Sequence, residues 1–243
     1  MIPKIVHYIW FGGKPFPPKI QKCIDSWHKY LPDYKFMLWN ESTFDVNSSK
    51  FTEQAYQQKK WAFVSDYVRV WALNKYGGWY LDTDIEVLKP LSSFEEQRMV
   101  LGTDHDGALT ALMGSEVEHP FWKLVLAKYD AMKFINEDGS LNMIVNNTHL
   151  QEILADYGYV FENKYQELKH GIIVYPDDYF HVADVEKGTL HKTENSYAIH
   201  WHTLLWTSDM SHWMRFFRLH VLKPIFGEDR FMDVWNKITR FGR

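Results

Sequence analysis

One stretch constrains this chain more than any other: WAFVSDYVRVWALNKYGGWYLDTDIEVLKP, residues 61–90. An apolar helix pattern runs into Gly77-Gly78, and an aromatic-rich run with two aspartates follows at once. Paired glycines end a helix because they take left-handed backbone angles at no steric cost. The pattern predicts a helix from about Glu53 to Tyr76, then a strand over Trp79–Leu88 closed by Pro90. Period-two alternation along that strand sets Tyr80, Asp82, Asp84 and Glu86 on one face.

The rest of the chain reads in the same terms. KIVHYIWFGG is a buried strand entering a glycine turn, and KFMLWN a second short strand. Between them Ile20, Cys23, Ile24 and Trp27 fall on one helical face. Strand, helix and strand at these lengths predict a βαβ unit with parallel strands. MVLGTD, GIIVYP and SYAIHWH read as later strands, and HPFWKLVLAKYDAM and NNTHLQEILADYG as helices. Asn146, Asn147 and Thr148 stand where at least one is expected to cap a helix. No repeat or low-complexity linker interrupts the 243 residues. The fold class expected is α/β, with a main domain over 1–210 and a C-terminal helical, basic-aromatic appendage over 211–243.

The acidic strand carries the chemistry. Alternation would place the Asp82 and Asp84 Cα atoms roughly 6.5–7 Å apart, facing the same way. Two carboxylates on an otherwise apolar strand are costly unless neutralised. A hard divalent cation with oxygen ligands does this, and Mg²⁺ or Mn²⁺ typically pairs one or two carboxylates with substrate phosphates. A solvent-facing pair of acids is the alternative, since D-x-D alone is a common tripeptide. The setting at a strand's carboxyl end favours a ligand site.

Composition narrows the partners. Aromatic residues make up 17%, with 11 Trp, most of them expected in the core and some as platforms for sugar rings. A single cysteine, Cys23, excludes an internal disulfide framework and fits a reducing compartment. The apolar start Ile5–Phe11 is too short for a secretion signal. No run approaches ~20 uninterrupted apolar residues, so no membrane-spanning helix is expected. Residues 211–243 carry seven Lys/Arg against three acids, about +4 within a chain of net charge -4. That basic, aromatic tail suits either an anionic membrane surface or a capping helix on the core. The overall charge speaks against nucleic acid.

The sequence resembles glycosyltransferase family 32, which includes capsular polysaccharide sugar transferases and initiating mannosyltransferases. It is also distantly similar to the glucosyltransferase domains of the large clostridial toxins. The resemblance rests on IPKIVHYIWFGG, CIDSWHKYLPDYKFMLWNE, KKWAFVSDYVRVWALNKYGGWYLDTDIEVLKPL and the late YAIHWHTLLWTS. It implies a GT-A type, Rossmann-like domain with a central mostly parallel sheet, a UDP- or GDP-sugar donor, and retention of anomeric configuration. Residue by residue, it implies that Trp10 stacks on the nucleotide base. It implies that Asp66 and Arg69 contact donor sugar and ribose. Asp82 would touch ribose or sugar and contribute to the metal site, and Asp84 would bind Mn²⁺ (or Mg²⁺) directly. His200 is the expected third ligand, with His202 beside it. Trp206 would hold the diphosphate, although the order Leu205-Trp206-Thr207-Ser208 departs from the family's Ser-Trp pair. Asp104 and Asp106 are candidates to orient sugar hydroxyls, or belong to a polar loop.

The function expected is metal-dependent hexose transfer to a glycan or lipid-linked saccharide in surface polysaccharide synthesis. The enzyme would be cytoplasmic, with peripheral contact at the inner membrane face through 211–243. The alternatives are a glycoside or phosphoester hydrolase, which needs its carboxylates across a bond rather than side by side, and a non-catalytic carbohydrate-binding module.

Overall fold

A computed structural model describes residues 1–104, 107–184 and 189–203. The chain divides into two compact units, Met1–Val182 with Lys192–His200, and Ala183–His191 with Trp201–Arg243. The first is a mixed α/β unit. In chain order it holds β1 (Ile5–Ile9), α1 (Pro18–Tyr30), β2 (Lys35–Trp39), α2 (Lys50–Gln57), α3 (Trp61–Tyr76) and β3 (Gly78–Leu81). Then come β4 (Ile85–Val87), β5 (Met99–Asp104), β6 (Gly107–Ser115), α4 (Pro120–Asp130) and α5 (Asn146–Asp156). β7 (Gln166–Glu167), β8 (Ile172–Tyr175) and α6 (Asp177–Phe180) follow. Described residues of the second unit include the antiparallel pair β9 (Ala183–Asp184) and β10 (Thr189–Leu190). β11 (Ala198–His200) returns to the first unit and pairs antiparallel with β4.

The central sheet has seven strands in the order β2-β1-β3-β6-β5-β8-β7. β1 pairs in parallel with β2 and β3, and β5 with β8; β6 and β7 run against them. The expected β1-α1-β2 unit with parallel strands is therefore present. Carboxyl ends of β1, β2, β3 and β5 lie along one edge, and residues just beyond those ends share it.

Alternation along the strands feeds a core on each face, because successive side chains point oppositely. Trp79 and Leu81 join Trp27 and Ile24 of α1 on one side, while Tyr80 joins Val64, Val68 and Leu73 of α3 on the other. Burial of the α1 face at Ile20, Cys23, Ile24 and Trp27 follows the expected spacing. At the end of α3, Gly77 and Gly78 have φ of 60° and 91°. A Cβ on Gly78 would come within 2.6 Å of the Ile5 carbonyl oxygen, so only glycine lets β3 lie against β1 here.

Two sequence expectations are corrected. The helix expected from Glu53 to Tyr76 is two helices, broken at 58–60, where Lys59 takes a left-handed φ of 55°. The single strand expected over 79–88 is also two. The chain turns after Leu81, the Ile85 N–H bonds to the Asp82 carbonyl at 2.9 Å, and β4 leaves the central sheet to pair with β11. Apolar patterning is the same on both sides of each break, so periodicity alone does not reveal either. Among the described residues no helix is long and apolar enough to cross a membrane.

Candidate metal and sugar-nucleotide site

The turn at 82–85 builds the site. Asp82 leaves the carboxyl end of β3, and its N–H still bonds to Ala111 of β6 at 2.7 Å. Asp84 sits within the turn, nearly buried. β11 then brings His200 alongside, its Nε2 3.4 Å from Asp84 Oδ1. One ligand atom from each of Asp82, Asp84 and His200 lies within 4.8 Å of the others. The two carboxylates converge because the backbone turns, not because an extended pleat repeats.

Behind Asp82 stands a buried charge network. Arg69, on α3, lies 3.1 Å from Asp66 Oδ1 and 3.5 Å from Asp82 Oδ1. Its guanidinium also donates to the Thr110 carbonyl at 3.0 Å and to the Ser65 carbonyl at 3.3 Å, and it lies 4.6 Å above the Tyr80 ring. The Tyr80 hydroxyl donates to the same Asp82 oxygen. Burial opposes a charge on Arg69, but Asp82, Tyr80 and Asp66 around it raise its pKa and hold it cationic. Burial pushes the Asp66 carboxyl up to about 6, against the pull of Arg69.

Asp66 has a second partner that sequence reasoning missed. The Asn146 backbone N–H favours its charged form. The cap of α5 is Val145, which offers no side-chain acceptor. None of Asn146, Asn147 or Thr148 caps this helix as expected. A carboxylate from α3 instead meets the positive end of α5, where a negative charge is favoured. The Asn146 amide oxygen accepts from the Tyr129 hydroxyl at 3.0 Å, and Asn147 bonds to the Thr110 hydroxyl at 2.5 Å. Tyr80 had a sequence signal, since alternation put it on the face of Asp82. Thr110 and Tyr129 had none.

Trp10 follows β1 and is half-buried; its indole N–H donates to the Lys14 carbonyl at 2.5 Å, and its ring packs on Phe16. Asp104 ends β5, its backbone paired with Gly107 of β6. His202 belongs to the second unit, with φ of 45°. Asp106, Trp206 and the 211–243 segment lie outside the described residues.

Charge decides what the cluster suits. Three carboxylates (Asp66, Asp82 and Asp84) stand against one guanidinium. Among the described residues the cluster is rich in carboxylates, which favours a hard divalent cation. Oxygen donors with one imidazole suit Mn²⁺ or Mg²⁺.

The chain is similar to several known proteins. Residues 17–101 match a family described as glycosyltransferase sugar-binding region containing DXD motif. The chain is 34% identical over 131 residues to inositol phosphoceramide mannosyltransferase 3 of Schizosaccharomyces pombe, covering 49% of this chain and 35% of that protein. It is 28% identical over 157 residues to the mannosyl phosphorylinositol ceramide synthase SUR1 of Saccharomyces cerevisiae, covering 56% of this chain and 37% of that protein. The chain thus spans little more than a third of these curated relatives. A solved structure titled PaToxG Glycosyltransferase aligns over 64% of this chain and 69% of its own, at 18% identity and a TM-score of 0.49. Over residues 17–101 the chain is thus similar to glycosyltransferases whose sugar-binding region contains the DXD motif.

Proposed function

We propose that the chain transfers a hexose from a nucleoside diphosphate sugar to a saccharide acceptor, with retention, on a GT-A type domain dependent on Mn²⁺ or Mg²⁺. The observation that carries this is the convergence of Asp82, Asp84 and His200, with one ligand atom from each within 4.8 Å of the others. Asp84 and His200 would hold the ion, with Asp82 beside them. When bound, such an ion offsets the charge growing on the leaving diphosphate.

The chain's own groups do the rest. Tyr80 and Arg69 fix the Asp82 carboxylate from behind, so that it meets donor hydroxyls in one orientation. Arg69 holds that carboxylate without turning to solvent. Trp10 offers a ring to the nucleotide base. Asp104, at the end of β5, lies on the sheet edge where the acceptor enters. An acceptor hydroxyl attacks the anomeric carbon on the face the diphosphate leaves, and its proton passes to the departing phosphate oxygen, which preserves configuration.

The matched relatives are named for mannosyl transfer to an inositol phosphoceramide, which favours a lipid-linked acceptor here. We place the activity in surface polysaccharide synthesis at the cytoplasmic membrane face, with the basic 211–243 segment meeting anionic lipid. The test is a transfer assay on a nucleotide-sugar panel, with and without chelator, alongside calorimetric titration of Mn²⁺. Transfer that survives chelation, or Mn²⁺ that binds an Asp84→Asn protein as well as the parent, would refute the proposal.

A further inference from the structure

Resting on the reading of His200 as a metal ligand, we infer that His181 is its positioning residue, a buried imidazole clamped to β11 through α6 that sets the plane of the His200 ring.

Of the three ligand groups, His200 has the slightest backbone support. Asp82 leaves the central sheet still bonded to Ala111 of β6. His200 ends a three-residue strand paired with the equally short β4. Two torsions separate an imidazole from its backbone, and a ring that swings about them carries Nε2 off the ion. Groups behind a ligating histidine fix that orientation, and their loss weakens metal binding without their touching the metal.

Behind His200 stands the residue that follows α6. The His181 and His200 rings meet edge-on, with centroids 6.0 Å apart and planes at 65°. Flat rings prefer this arrangement, and in a packed interior it leaves few rotations open to either. His181 is 6% exposed, and its N–H bonds to the Asp177 carbonyl at 2.7 Å. Among the described residues the ligand cluster is Asp82, Asp84 and His200, so His181 acts on the ion through His200.

The helix before His181 is in turn clamped to the chain entering β11. The Asp178 carboxylate accepts from the Thr193 hydroxyl at 2.8 Å and from the Asn195 amide at 3.1 Å. The Asp178 carbonyl accepts from the Ser196 hydroxyl at 2.9 Å, and the Tyr179 carbonyl from the Tyr197 N–H at 2.8 Å. Phe180 is fully buried against Phe94 and Tyr175. The segment that carries His181 is thus bonded directly to the segment that carries His200, and the two rings keep one relative position.

The experiment is Mn²⁺ binding to the full chain by electron paramagnetic resonance, with Mg²⁺ as competitor. His181→Ala should weaken Mn²⁺ binding about tenfold, the scale of losing a group that orients a ligand. Mg²⁺ should lose less, because it gains less from an imidazole. His181→Phe keeps a flat ring and should bind Mn²⁺ close to the parent. Asp178→Ala cuts the clamp at a half-buried position, without emptying the core, and should shift Mn²⁺ binding in the same direction. In a His200→Ala background neither His181→Ala nor Asp178→Ala should weaken Mn²⁺ further, since residues that act through one another are not additive. Parental Mn²⁺ binding in both variants, additive losses, or a His181→Phe protein as weak as His181→Ala overturns the inference and leaves His200 a ligand. Undiminished Mn²⁺ binding by His200→Ala overturns the reading on which it rests.

Discussion

Asp82 and Asp84 are two residues apart in one motif, yet they face opposite halves of the site. Asp82 looks back into the protein, where Arg69 lies 3.5 Å away and the Tyr80 hydroxyl donates to it. Asp84 looks towards β11 and His200, a neutral donor when it serves as a ligand. One aspartate is held by a guanidinium and a hydroxyl of the fold, and the other stands beside an imidazole that suits a metal. The difference suggests how one short motif divides its labour: the first carboxylate positions, and the second is the proposed ligand.

The largest effect should come from removing the fixed cation. Arg69→Met leaves Asp66 and Asp82 without their partner inside the protein. Breaking a buried pair from one side costs about 3–5 kcal/mol, because the remaining charge stays desolvated. Urea unfolding should show that loss, and Asp66→Asn in the same background should recover part of it. A loss under about 1 kcal/mol would mean that water reaches the Asp82 half, and the contrast would fail.

Asp84→Asn tests the other half. If Asp84 serves the ion, the metal-free variant should unfold no earlier than the parent. Transfer should fall about 10²–10³-fold, the scale of losing one electrostatic stabiliser of a transition state. Destabilisation of the metal-free variant would show Asp84 to be a structural partner of His200 instead.

The contrast was only half legible in the sequence. The D-x-D spacing, the glycine pair and the Ser65–Arg69 context marked the residues. The β1-α1-β2 unit and the α1 face followed from periodicity. What periodicity missed was where the backbone turns. An unbroken strand would keep both carboxylates on one pleated face, but the 82–85 turn sends them to different neighbours. The partners of Asp66 were equally hidden, because the N-terminus of α5 reaches it across eighty residues of chain. Local pattern reports which groups are costly to bury. It does not report which distant group offsets the cost.

Any pH study of these two halves must first subtract a third buried group. His7 on β1 is fully buried; Trp39 donates to its Nδ1 at 3.2 Å, and its Nε2–H donates to the Gly77 carbonyl at 2.8 Å. Burial drives its pKa down to about 4, only partly offset by the bond to Gly77. It is neutral when folded, while the unfolded chain protonates near 6.5. Stability is therefore full above pH 6.5 and falls as pH drops from 6.5 towards 4, by about 3 kcal/mol in all. His7→Gln should flatten that slope in urea titrations at pH 7, 6 and 5. An unchanged slope would assign the loss to the carboxylate network instead.

The smallest effect, and the sharpest on the Asp84 side, is expected at His200. Imidazole there suits Mn²⁺, whereas an all-oxygen set suits Mg²⁺ or Ca²⁺. His200→Ala should weaken Mn²⁺ binding about tenfold to a hundredfold, measured by the loss of free-ion paramagnetic resonance signal. His200→Asp should separate ligand from neighbour. It adds a third oxygen donor facing the ion and a charge that Arg69, committed to Asp66 and Asp82, does not balance. The metal-free protein should then lose stability while its preference moves from Mn²⁺ towards Mg²⁺. If both variants bind Mn²⁺ like the parent, His200 only packs against Asp84, and the exchangeable half of the site rests on carboxylates alone.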